Sequence, residues 1–177
     1  HVRAMLNDYA ARDARIRLEF AAANGGVSHA TNRALAMAKG DFVLLLDHDD
    51  LLEEQALFRV AESVLADDPD MLYSDEVLVD EDNKTVLHFI HRPMYSPEYL
   101  RSHLYIVHLI GFRASLLRAL GGLDESLRIS QDYDLILRAS ERARRIVHIP
   151  EMLYRWRIHG SSAGQMMADQ VVETSSA

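Results

Sequence analysis

Cysteine is absent from the 177 residues, which excludes disulfides and thiolate metal sites and suits a reducing compartment. Basic charge is also in short supply. Nineteen Lys and Arg against 27 Asp and Glu leave a formal net charge of −8, which argues against holding nucleic acid through its phosphates. The Lys and Arg are scattered, apart from a small Arg142–Arg145 cluster that reads as a solvated helix end. No apolar run approaches the roughly 18 residues needed to span a bilayer. The opening stretch HVRAMLNDYAARDARI is charged throughout and has no signal-peptide character. What remains is ordinary globular composition, 49% hydrophobic and 26% charged, long enough for one domain with a sizeable core. The chain begins with His1 rather than Met and stops in QMMADQVVETSSA, so the expectation is a piece of a longer protein.

Along the chain, strand and helix patterns alternate. Residues 3–12 read as a short helix and Arg15–Phe20 as a strand. After the Asn24-Gly25-Gly26 turn, Ser28 is placed to cap a helix through Ala38, with Gly40 just past its end. A strand over residues 42–46 follows, then a helix with Asp50 as cap and Glu53 three residues on. That helix ends at Asp67-Asp68-Pro69, and Met71–Ser74 reads as a short strand. A hairpin is expected over 75–90 around Glu81-Asp82-Asn83-Lys84, and Pro97 suits the first turn of a helix through His103. Tyr105–Phe112 is strand-like, Ser115–Leu120 a helix closed by Gly121-Gly122, and Gln131–Arg142 a helix. Ile146–Ile149 and Met152–Arg157 read as short strands divided by Pro150. This alternation implies an α/β domain with a mixed sheet.

The most informative stretch is FVLLLDHDD, residues 42–50. Five apolar residues suit a fully buried central strand, and they run straight into three carboxylates. Carboxylates crowded at a strand end repel one another unless something positive relieves them, and a divalent cation is the simplest candidate. Asp47 and Asp49 are two apart, a spacing that on a strand points both side chains to one side. Hard oxygen ligands select Mg²⁺, Mn²⁺ or Ca²⁺ over Zn²⁺. Asp50 serves either the helix cap or the chemistry.

Three further groups stand out. Asp132 and Asp134, in SQDYDLILR, either complement a helix N-terminus or supply a general base. His159 follows Arg155 and Arg157 and precedes Gly160-Ser161-Ser162. That combination suits a diphosphate and its metal, although Arg155 and Arg157 equally suit a strand facing solvent, with Trp156 in the core. Asp75-Glu76, directly after a strand, is a weaker site candidate, and Asp80-Glu81-Asp82 reads as a solvated turn.

The ordered set NGGVSHATNRALAMAKGDFVLLLDHDDLL, MLYSDE, SPEYL, GFRASLLRALGGLDE, QDYDLILR and HIPEMLYRWRIHGSS resembles the family 2 glycosyltransferases over about residues 15–163. The subset with DHDD, YSDE and QDYDL is most similar to rhamnosyltransferase-type members that build bacterial surface polysaccharides. The resemblance implies the GT-A fold, a Rossmann-like α/β architecture with a mixed central sheet. It implies that Asp47, His48 and Asp49 form the DxD motif, whose carboxylates hold Mg²⁺ or Mn²⁺ on a sugar-nucleotide diphosphate. It further implies Asp132 as catalytic base and His159 as a metal or diphosphate ligand. Gly121-Gly122 and Asp124 match the turn ahead of the acceptor side.

The expected activity is inverting transfer from a nucleotide-diphospho-sugar to the hydroxyl of a saccharide or lipid-linked saccharide. A 158–164 loop would close over the donor. The setting implied is the cytoplasm, at the inner face of the bacterial plasma membrane, with peripheral attachment through segments outside this chain. Family members begin with a strand–helix–strand unit that grips the nucleotide base. This chain starts after it, so an N-terminally truncated GT-A domain over 1–164 is expected, with 165–177 opening an extension or tail. Two alternatives stay open at this stage. One is a phosphohydrolase of the haloacid dehalogenase type, which also places DxD after an apolar strand. The other is a non-catalytic, degenerate transferase-like binding module.

Overall fold

In a computed structural model, residues 1–127 and 129–159 are described. Helix α1 (Val2–Arg12) contributes no buried residue. Arg15–Phe20 is not a strand. Ile16 and Phe20 are both exposed, and the segment is fastened by side chains instead of a ladder. Arg17 reaches the Met37 carbonyl at 3.1 Å, Glu19 pairs with Arg33, and Arg3 lies over the Phe20 ring. Helix α2 (Gly26–Met37) starts two residues before the expected cap. Asn24 Oδ1 accepts from Gly26 N at 2.9 Å, forming the local turn that opens the helix, and Ser28 is buried inside it.

Strand β1 (Phe42–Leu45) is half-buried and sits at the sheet edge, not its centre. Among the described residues it ladders with one strand, β5 (Ile110–Arg113), and this one-sided pairing leaves it short of full burial. β2 is the two-residue Leu51–Leu52. The following helix α3 (Ala56–Asp67) has Gln55, not Asp50, at its N-cap. Its buried face is narrow: Ala56 and Val60 are covered, whereas Leu57 and Leu65 are exposed.

The sheet is organised around two long strands. β3 runs from Met71 to Asp80, far beyond Ser74, and is buried for most of its length. β6 is one strand from Ile146 to Ile158, parallel to β3. Pro150 does not divide it, because the register jumps there. Ile149 stands opposite Ser74 and Met152 opposite Asp75, which leaves Pro150 and Glu151 in a bulge where no ladder donor is required. β4 (Val86–Ile90) completes the hairpin with β3. The order is β1-β5-β3-β6-β2, with β4 also on β3, and antiparallel pairs join the parallel β3–β6 pair to make the sheet mixed.

The remaining helices are α4 (Pro97–Ser102), α5 (Ala114–Leu120) and α6 (Gln131–Arg142). They cover one sheet face through Leu100, Leu117, Leu135, Ile136 and Ala139 against Met71, Tyr73 and Phe112. Helix α3 covers the other through Ala56 and Val60 against Leu72, Leu153 and Tyr154. Gly121 and Gly122 both have φ near +77°, as the stop after α5 requires. At Gly122 a Cβ would also meet Asn32 Oδ1 at 2.4 Å. Asn32 grips the neighbouring Leu123 backbone on both sides, at 2.9 Å each, and so pins the Gly121–Glu125 turn to α2.

Candidate functional site

The four residues Asp47 to Asp50 lie in a turn beyond β1, closed by Asp50 N donating to the Asp47 carbonyl at 3.2 Å. The pleat of a strand is therefore not what arranges the carboxylates. The far end of β6 does that, from more than 100 residues away. Arg157 N donates to Asp50 Oδ1 at 2.9 Å, and Arg157 Nε donates to the Asp49 carbonyl. Tyr154 OH donates to Asp50 Oδ2 at 2.7 Å and accepts from Asp47 N at 3.2 Å. His159 Nε2 lies 2.9 Å from Asp49 Oδ2.

Asp50 is buried, and burial pushes its pKa up, with the Tyr154 and Arg157 bonds partly offsetting that. It anchors the turn to β6 rather than capping α3. Asp49, by contrast, is held below the usual carboxylate range, chiefly by the His159 hydrogen bond. Asp47 and His48 present their side chains to solvent. Burial pushes the Tyr154 hydroxyl far up, as does its bond to Asp50, so it stays protonated as a donor.

Beneath the turn lies a second acidic pair that the sequence marked only weakly. Asp75 and Glu76 lie in β3 and are fully enclosed. Asp75 accepts from Arg92 N at 2.9 Å, contacts His148 Nε2 at 2.7 Å, and contacts His91 Nδ1 at 3.0 Å. Burial opposes its ionisation, but these partners outweigh burial and hold its pKa below the ordinary value. Glu76 pairs with the Arg92 guanidinium and lies 2.9 Å from His108 Nδ1. On its other side His108 Nε2 stands 3.6 Å from Asp47 Oδ2. Burial works against charged His108, yet Asp47 and Glu76 together push its pKa up to about 9. Neither His108 nor Arg92 carried a motif signal. The one available hint was an imidazole inside the apolar run LYIVHLI, which needs a buried partner.

Among the described residues, the ligand atoms of Asp47, Asp50 and His108 come within 4.8 Å of one another. The expected set of Asp47, Asp49 and His159 is brought together less tightly, as the Asp49–His159 contact with Asp47 on the same turn. Arg157 touches the turn directly. Arg155 is directed to Glu53 Oε1 and Asn83 Oδ1, at 2.6 Å each. Asp132 is exposed in the first turn of α6, with Tyr133 N on its Oδ1 at 2.9 Å. Its neighbour Asp134 is taken up by Arg138 at 2.6 Å. Most of the expected 158–164 loop, including Gly160-Ser161-Ser162, lies outside the described residues, as does the 165–177 tail.

An aspartate turn at a strand end, backed by a mixed sheet with helices on both faces, defines a protein of the α/β class. Residues 1–120 match the pattern of "Glycosyl transferase family 2", and the chain belongs to that family. It is 40% identical over 163 residues to the uncharacterized protein y4gI of Sinorhizobium fredii, covering 90% of this chain and 18% of that protein. It is 39% identical over 165 residues to the O-antigen biosynthesis protein RfbC of Myxococcus xanthus, covering 92% and 13%. The chain thus spans less than a fifth of either relative. Its fold is that of S. aureus TarS 1–349, solved in complex with UDP-GlcNAc, with a TM-score of 0.74 over 92% of this chain and 48% of that one at 18% identity. The expected GT-A fold is the observed one. No helix among the described residues is long and apolar enough to cross a membrane.

Proposed function

We propose that the chain is the donor-binding and catalytic part of an inverting glycosyltransferase that moves a sugar from a nucleotide-diphospho-sugar to an acceptor hydroxyl, in the synthesis of a bacterial surface polysaccharide. The observation that carries the reading is the contact of Asp49 with His159 at 2.9 Å, on an exposed turn, in a chain of this family. The similarity to RfbC supports the polysaccharide setting, and TarS, solved with UDP-GlcNAc, supports a nucleotide-sugar donor. A saccharide or lipid-linked saccharide acceptor and work at the inner face of the plasma membrane belong to the same reading. Family membership leaves the phosphohydrolase alternative without support.

The donor set of Asp47, Asp49 and His159 suits Mg²⁺ or Mn²⁺, since it offers hard oxygens and one imidazole. Asp49 fits a ligand's role because it is kept ionised, and Asp47 fits because its carboxylate faces solvent. When bound, such a cation neutralises charge developing on the leaving diphosphate. Asp47, Asp49 and His159 would hold the metal, with His48 beside it. Arg157, already on the turn, adds positive charge next to the diphosphate, and Arg155 stabilises the same edge of β6 through Glu53. Asp132, exposed and ahead of Tyr133, accepts the proton of the attacking hydroxyl. Attack from the face opposite the departing diphosphate inverts the anomeric centre.

Calorimetry with UDP-, dTDP- and GDP-sugars in Mn²⁺ or Mg²⁺, on the protein at its full natural length, tests the donor. Asp49→Ala should abolish the metal dependence of nucleotide binding, and unchanged binding would refute the metal site. Asp132→Asn should lower turnover by about 10²–10⁴-fold with donor affinity retained. Preserved turnover would remove Asp132 from the reaction.

A further inference from the structure

His108 joins the two acidic pairs. It sits in an apolar run, its side chain 16% exposed, and a polar ring there is tolerated only with partners at both nitrogens. Nδ1 faces Glu76 Oε2 at 2.9 Å and Nε2 faces Asp47 Oδ2 at 3.6 Å. The ring plane is fixed as well. It stacks on Tyr154 with centroids 4.5 Å apart and planes at 9°, and Trp156 meets it edge-on at 5.5 Å. Glu76 in turn is anchored by Arg92. Tyr154, the stacking partner, is the same residue whose hydroxyl bridges Asp50 and Asp47 N. Glu76, Tyr154 and Trp156 therefore hold the ring, and its other nitrogen faces Asp47, whose side chain is 66% exposed.

We propose that His108 is a positioning residue for the aspartate turn, with Glu76 acting through the His108 ring to fix the direction of the Asp47 carboxylate. The inference rests on the reading of Asp47 as part of the donor clasp. Its physical logic is that of a buried carboxylate orienting an imidazole, which then orients the group that touches the ligand. A carboxylate free to rotate at an exposed turn would spend most of its time pointing elsewhere, and aligning it would cost binding energy each time a ligand arrived. His108 lies outside every segment that carries the family resemblance, and its one local signal is an imidazole inside the apolar run LYIVHLI.

The test is a double-mutant cycle on the protein at its natural length, read by calorimetry and electron paramagnetic resonance with Mn²⁺ alone and with Mn²⁺ plus UDP. His108→Ala should weaken Mn²⁺ binding about 10–100-fold. In an Asp47→Asn background the same change should cost less than about twofold, because the ring then has nothing left to orient. His108→Gln, whose amide nitrogen takes the place of Nε2, should recover part of the loss. His108→Asn, which reaches only Glu76, should not. Equal losses in both backgrounds, or no difference between Gln and Asn, would overturn the positioning role, since a merely structural ring predicts both. Should His108→Ala fail to fold by near-ultraviolet circular dichroism, the Gln and Asn variants decide the matter alone. If Asp47→Asn and Asp49→Asn both leave Mn²⁺ binding unchanged, the clasp reading itself fails and takes the positioning role with it.

Discussion

Two pairs of carboxylates are linked through His108, which meets Glu76 of one and faces Asp47 of the other, and they live in opposite worlds. Asp75 and Glu76 in β3 have side chains 3% and 0% exposed, whereas Asp47 and Asp49 on the turn are 66% and 35% exposed. Both oxygens of each buried carboxylate have partners. Asp75 has three partners, Arg92 N, His148 and His91, and Glu76 has the Arg92 guanidinium and His108. On the turn, the Asp49 carboxylate is met by His159 and that of Asp47 by His108 at a looser 3.6 Å. Identical chemistry is thus put to two uses. A carboxylate enclosed with partners on both oxygens holds the fold, and one that stays open to solvent can take a ligand.

The contrast breaks most visibly at Glu76. Glu76→Ala strands Arg92 and His108 in a closed space and should lower unfolding free energy by about 3–5 kcal/mol, measured by urea denaturation. A loss under about 1 kcal/mol would mean that the buried pair is not structural. Asp70 sharpens the contrast, because it is of the buried, partnered kind and lies just before β3. Arg113 Nε donates to it at 2.9 Å, as do Arg144 N at 2.8 Å and Arg144 Nε at 3.0 Å. The Arg144 hydrogen bond above all lowers its pKa from 3.8 to about 2. A carboxyl lowered on folding contributes its stability above the unfolded value and loses it as pH falls through the folded one. About 1–2 kcal/mol should therefore disappear between about pH 4 and pH 2. Asp70→Asn should flatten that segment of the stability–pH curve, and a curve identical to wild type would deny Asp70 the role. The smallest effect is expected on the turn, where Asp47→Asn should change unfolding free energy by no more than about 0.5 kcal/mol. A large destabilisation there would place Asp47 with the structural carboxylates.

Much of this was legible in local signals. Gln131–Arg142 shows Leu135, Ile136 and Ala139 at helical spacing, Gly121-Gly122 marks a helix end, and the Glu81–Lys84 turn separates two strands as expected. The failures share a cause: each depends on a partner far away in sequence. Met71–Ser74 continues as a strand through Asp75-Glu76 because His148, Arg92 and His108 satisfy those carboxylates, and no window around residue 75 contains the first or the last of them. Asp50 reads as a helix cap until Tyr154 and Arg157 arrive to claim both its oxygens. Pro150 reads as a strand break until the register of β3 shows two residues bulged out. Arg15–Phe20 has the alternation of a strand, but pattern alone cannot supply a neighbour to pair with.

The thirteen residues of β6 also set the order of events in folding. Every clamp on the aspartate turn, from Tyr154 to His159, closes a loop of more than a hundred residues. Contacts of such long range form late, because the entropy of closing the loop is lost before any of them can form. Local pieces such as α2 and the β3–β4 hairpin need no such closure, and they can form while the aspartates are still loose. The turn is clamped only when β6 pairs with β3, so the same strand that completes the centre of the sheet also completes the site.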